Sequence, residues 1–170
     1  MRKISRFSVY SILVVAIFLQ ITVLRHIEIL GSFPDLVLIC VLFFGLFKGA
    51  GAGFEAGIIG GALTDIFALD FFGINMFILA LSGFLAGAIN TKVYSQSRST
   101  QWIVVFAFSV FSMYMHFFLF DIFSKGVEFG FSEHFSNSVL ISSLYTASLS
   151  VLVFSQFISV YGLGESEEFI

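Results

Sequence analysis

GAGAGFEAGIIGGALTD, residues 49–65, is the stretch on which the reading of the fold turns. Gly49, Gly53, Gly57, Gly61 and Asp65 recur every four residues, with Gly51 and Gly60 beside them. In an α-helix a step of four advances each residue about 40° around the axis. Gly53 to Asp65 therefore form one slowly winding stripe. In lipid, such a stripe lets a second backbone approach closely. The following segment offers a matching pattern, Gly83 and Gly87, with Ser82 and Ala86 beside them. The stripe has two readings, internal close packing or a docking face for another protein, and both stay open at this point.

The setting is apolar along the whole chain. Of 170 residues, 58% are hydrophobic and only 11% charged, with 25 Phe, and the mean hydropathy is +1.03. A water-soluble domain could not cover its surface with so few charges and would expose large apolar patches. In a bilayer the demand reverses, because the lipid-facing surface must be apolar. A net charge of −3 argues against a nucleic-acid partner, since phosphate binding needs clustered Lys and Arg. The single cysteine, Cys40, lies in an apolar run and reads as a small lipid- or helix-facing residue.

The expected fold class is therefore all-α, a polytopic membrane protein of about six transmembrane helices in one domain, 1–170. A hydrocarbon core of roughly 30 Å takes about 20 apolar helical residues. The spans predicted from hydropathy are 7–24, 34–48, 50–69, 72–89, 102–120 and 139–161. The first follows Arg2, Lys3 and Arg6 like a signal peptide, but the run is long for one and no small-x-small cleavage site follows, so it reads as retained. The second opens at Ser32-Phe33-Pro34-Asp35-Leu36, where Pro34 near the first turn and the Ser32/Asp35 spacing resemble a capping box. Its short apolar core uses Lys48 as a snorkelling end. Trp102 suits an interface at the start of the fifth. With the N-terminus inside, Arg2, Lys3, Arg6, Lys48, Lys92 and Arg98, six of the eight basic residues, are cytoplasmic and only Arg25 and Lys125 lie outside. Both termini are then cytoplasmic. A re-entrant hairpin of the second and third helices would put Lys48 at mid-membrane, which is costly. The stretch 121–138 is the longest expected loop, with 127–131 apolar at alternate positions.

Few residues suggest chemistry. Asp65 closes the glycine stripe, followed by Asp70 and Gly73-Ile74-Asn75. An ionisable group in a span is a functional candidate by default. The structural alternative bonds Asp65 to a neighbouring N–H or hydroxyl. Glu55, about two turns after Lys48, suggests an ion pair near the cytoplasmic surface. His116 suits either a proton relay or a hydrogen bond to a neighbouring helix. No HExxH, CxxC or Walker-type motif is present, and no serine has a recognisable His and Asp partner. Neither a metal nor a cofactor is implied, and the chain reads as no enzyme.

These residues resemble the MreD family of rod shape-determining membrane proteins. The resemblance rests on Phe33-Pro34-Asp35-Leu36, on Gly53-x3-Gly57-x3-Gly61-x3-Asp65, on Leu69 to Asn75 with Gly73-Ile74-Asn75, and on Gly83-x3-Gly87. Residues 100–170 match in hydropathy alone. The resemblance implies a non-catalytic scaffold of the cell-elongation machinery (the elongasome) in the bacterial inner membrane, maintaining cell shape. It implies an MreC-like single-span partner and, through it, MreB, RodA and a penicillin-binding transpeptidase of peptidoglycan synthesis. It also implies a fold similar to the substrate-binding subunits of energy-coupling-factor vitamin transporters. A small-molecule-binding transporter subunit is accordingly the main rival, with Asp65, Asp70, Asn75, His116 and Asp121 as its polar groups. Against it, the first helix has only Ala16 among bulky residues and no Ala-x3-Ala docking pattern. An intramembrane enzyme lacks convergent reactive groups, and a channel would need polar stripes on several helices.

Overall fold

The computed structural model describes residues 6–22, 32–68, 71–89, 98–124 and 133–161. These form six α-helices: α1 Arg6–Thr22, α2 Leu36–Lys48, α3 Ala50–Phe67, α4 Ile74–Ile89, α5 Arg98–Ser124 and α6 Glu133–Tyr161. Two of them, over Ser99–Phe123 and Ser138–Tyr161, are long and apolar enough to cross a membrane, while α1, α2 and α4 are shorter apolar helices.

The centre of the bundle is α2. Every residue from Val37 to Leu46 is buried, as expected of a helix that is apolar all round. It is surrounded by the other five. Leu13 and Ile17 of α1 pack on one side of it. On another, Phe43 meets Phe154 and Phe157 of α6 edge-on, with ring centroids 5.3 and 4.9 Å apart. Aromatic pairs prefer this geometry, with the positive ring edge on the negative face.

The helix ends depart from the hydropathy reading in instructive ways. Ser32 does not cap α2. A cap there would require Phe33 in the α region, which a following proline disfavours. The chain instead stays extended through Pro34, and Asp35 (φ −94°, ψ 94°) is the N-cap, accepting from the Leu38 N–H at 2.9 Å. At the other end of α2, Gly49 adopts φ +94° and reverses the chain into α3. Lys48 and Glu55 therefore sit on two antiparallel helices, not two turns apart on one. The third span ends earlier than expected, at Phe67, and the fourth begins later, at Ile74, with a turn at Phe72-Gly73. α5 and α6 both outrun their apolar cores, and α6 begins at Glu133, inside the stretch expected to be a loop. The alternating segment 127–131 lies outside the described residues.

Candidate functional site

The glycine stripe of α3 is filled from within the chain. A Cβ placed on Gly53 would stand 2.1 Å from the Gly83 carbonyl oxygen of α4. On Gly57 it would meet the Leu79 carbonyl at 2.3 Å, on Gly61 the Met76 Cα at 2.3 Å, and on Gly87 the Ala50 nitrogen at 2.3 Å. Real Cβ atoms never come so close to backbone. The residue order, 53 against 83 and 61 against 76, makes α3 and α4 an antiparallel pair in main-chain contact. Gly45 of α2 joins the same layer, its absent Cβ 2.6 Å from the Gly83 carbonyl. Lipid tails are as apolar as leucine, so such contact, rather than burial, is what holds helices together in a bilayer. A partner helix along this face would have to displace α4.

Asp65, at the end of the stripe, is 4% exposed. At the C-terminus of its own helix a carboxylate is poorly placed, but it reaches the N-terminus of α4, where negative charge is favoured. Its Oδ2 accepts from the N–H of Gly73 (2.9 Å) and of Met76 (3.0 Å). Its Oδ1 accepts from the N–H of Asn75 (3.1 Å) and from that residue's side-chain amide (2.9 Å). A carboxylate offers about four acceptor sites, and all four are taken. Gly73 reaches this arrangement at φ +104°, a conformation that suits glycine. Asp65, Gly73 and Asn75, neighbours in the sequence motif, are thus one device: a cap for α4 supplied by α3. Asp70 lies outside the described residues.

Asp35 organises a second polar cluster, at the same end of the bundle. Besides capping α2, its N–H donates to the Thr146 hydroxyl of α6 at 3.1 Å. The Gln20 side chain of α1 bonds the Asp35 carboxylate and accepts from the Val37 N–H at 3.2 Å. Ser142 donates to the Phe33 carbonyl at 3.0 Å, and Ser32 to the Ser138 carbonyl at 3.4 Å. Around the buried Pro34 the Phe33 carbonyl and the Asp35 N–H are left for α6, because the extended backbone before a helix has no internal partners. His116, half-buried on α5 beside Phe120, lies within electrostatic range of Asp35.

Sequence reasoning missed Gln20, Ser142 and Thr146. A signal was there: Ser138, Ser142, Thr146 and Ser150 recur every four residues on α6, as the glycines do on α3. The remaining candidates stay apart. Glu55 accepts a hydrogen bond from the Tyr10 hydroxyl of α1 at the opposite end of the bundle. Asp121 is exposed on α5, and Cys40 is a buried free thiol. Among the described residues no group of three His, Cys, Asp or Glu could hold a metal ion.

The fold and these clusters define a class: an all-helical bundle of membrane character whose polar side chains join helix to helix. Within that class, a family model described as rod shape-determining protein MreD matches residues 1–160, and the chain belongs to that family. It is accordingly a membrane protein with a role in rod shape determination. No curated protein and no solved structure matches the chain. The family match gives no support to the transporter-subunit reading, and two of the polar groups that reading needed, Asp65 and Asn75, are bonded to each other.

Proposed function

We propose that the protein is a non-catalytic scaffold of the bacterial cell-elongation machinery. In this reading it crosses the inner membrane six times with both termini in the cytoplasm. It binds an MreC-like single-span protein and, through it, helps to organise MreB, RodA and a penicillin-binding transpeptidase during peptidoglycan synthesis. The observation that carries the reading is the family match over residues 1–160. The way the polar groups are used supports it, since Asp65, Asn75, Asp35 and Thr146 bond helix to helix and so favour a rigid frame over a reactive centre. Because α4 covers the glycines of α3, the proposal seats the partner elsewhere on the bundle. The proposal extends to architecture, a bundle similar to energy-coupling-factor substrate-binding subunits, which superposition of an experimental structure would test.

Affinity purification from the native membrane in mild detergent, with mass spectrometry of proteins and small molecules, tests the function. Recovery of an MreC-like protein with cell-wall synthases is the expected result. Recovery of transport ATPase subunits, or of a stoichiometric vitamin-like molecule, would overturn it.

A further inference from the structure

Five helices surround α2, and the ring they make is open on one side. Packing runs from α1 to α3, α3 to α4, α4 to α5 and α5 to α6, but among the described residues no Cα atom of α1 lies within 8 Å of one in α6. The gap is a groove of about 430 Å³, within the size range of small-ligand sites. Ala16 and Leu19 of α1 line one side of it, Leu152 and Phe157 of α6 the other, and Leu36 and Cys40 of α2 form the floor. Its rim is continuous with the outward surface of the bundle, where Val15 and Leu152 are 56% and 67% exposed.

Polarity is graded along the groove. Leu19 and Leu36 mark one end, since Gln20 beside the first accepts from the Val37 N–H beside the second. Ser11 and Gln156 mark the other, each five residues from a helix terminus, Arg6 of α1 and Tyr161 of α6. They carry the only hydroxyl and the only amide side chain in the lining. An amphiphile has the same profile, a hydrocarbon body with polar atoms at one end.

The dimensions decide between a lipid tail and a partner helix. Leu19 to Ser11 spans roughly 12 Å of helix at 1.5 Å per residue, so a volume of 430 Å³ leaves a mean cross-section of about 36 Å². A helix about 10–12 Å across needs roughly 80 Å² or more and would have to push α1 and α6 further apart. A hydrocarbon chain, with carbons in contact at about 4 Å, fits. Left empty, the walls would forfeit those dispersion contacts.

We infer that the α1–α6 groove holds one acyl chain of a glycerophospholipid of the cytoplasmic leaflet, its tail against Cys40 and Leu36 and its ester end at Ser11 and Gln156. A chain seated there completes the ring that α1 and α6 leave open. The inference rests on the six-span reading with cytoplasmic termini, which sets Ser11 and Gln156 toward the inner headgroups, and is independent of the protein partner.

The test uses the full-length protein in nanodiscs of phosphatidylethanolamine and phosphatidylglycerol, with added phosphatidylethanolamine that carries a diazirine midway along one acyl chain. After illumination, mass spectrometry maps the labelled residues. The expected result is label at Cys40 of α2, which is 2% exposed, beside the label that every lipid-facing surface acquires. Val15→Trp, at an exposed position on the rim, should close the groove and abolish the α2 label. Label on the exposed Phe77 and Phe84 of α4 should stay unchanged, which also reports an intact fold. Absence of label at Cys40, or label there that survives Val15→Trp, would overturn the inference. So would loss of the Cys40 label when the protein is purified with a bound single-span protein, since a helix would then fill the groove. These readouts concern the groove alone, so the inference fails separately from the co-purification of an MreC-like protein.

Discussion

The α3–α4 pair and the α5–α6 pair are built on opposite plans. In the first, small residues bring two backbones into contact, and a carboxylate of one helix caps the other. In the second, two long helices carry large apolar side chains outward: Ile103, Phe118, Ile122, Leu140 and Leu152 are all exposed. The contrast shows where hydropathy carries information. It recognises the outward sides of both pairs, since Phe54, Phe77 and Phe84 of the first are exposed too, and lipid-facing surfaces must be apolar. It is weakest on the sides that face protein, where the glycines and Asp65 of the first pair and the Ser142 and Thr146 hydroxyls of the second do the joining.

Substitutions at four positions probe that contrast, in order of expected effect. Gly57→Leu should be the most severe, because its side chain would enter the backbone of α4. A loss of about 3 kcal/mol or more is expected, read as a fall in folded yield and unfolding temperature in detergent. Asp65→Ala leaves the N–H groups of Gly73, Asn75 and Met76 without their acceptor and should cost about 3 kcal/mol; Asp65→Asn should cost less, since one oxygen remains. Thr146→Val removes the acceptor of the Asp35 N–H while keeping the shape. It should cost about 1 kcal/mol, with faster hydrogen exchange at the start of α2. Gly51→Ala lies on the open side of α3, where nothing stands within 4 Å, and should raise stability by about 0.5 kcal/mol. If Gly51→Ala and Gly57→Leu behaved alike, the division of α3 into a packed and an open side would be broken.

Much of this was legible beforehand, for definable reasons. The stripe at 53, 57, 61 and 65 has a period that survives in any helix, and the pairing with Gly83 and Gly87 follows from the antiparallel turn between them. That Asp65, Gly73 and Asn75 form one cap was not legible, since a carboxylate in a span reads equally well as a functional group until its hydrogen-bond donors are known. The Ser32/Asp35 spacing points away from the true cap, Asp35, because it takes no account of the proline that disfavours the α region for Phe33. The ends of α5 and α6 were set short because hydropathy reports where lipid begins, whereas backbone hydrogen bonding carries a helix further. The hydroxyl stripe of α6 is not legible as a joint, because the spacing of 138, 142, 146 and 150 does not say that the extended segment before α2 supplies its partners. The seven-residue spacing of Lys48 and Glu55 carries no helical meaning, because Gly49 reverses the chain between them.

The central claim is that the residue that looks most chemical, Asp65, is taken up by architecture. Hydrogen exchange of the amides of Gly73, Asn75 and Met76, measured for the protein in lipid nanodiscs and again for Asp65→Asn, tests it most directly. The account predicts exchange as slow as in the interior of α4 for the native chain, and markedly faster exchange in the variant. Rapid exchange of all three amides in the native chain, or no change on substitution, would contradict it.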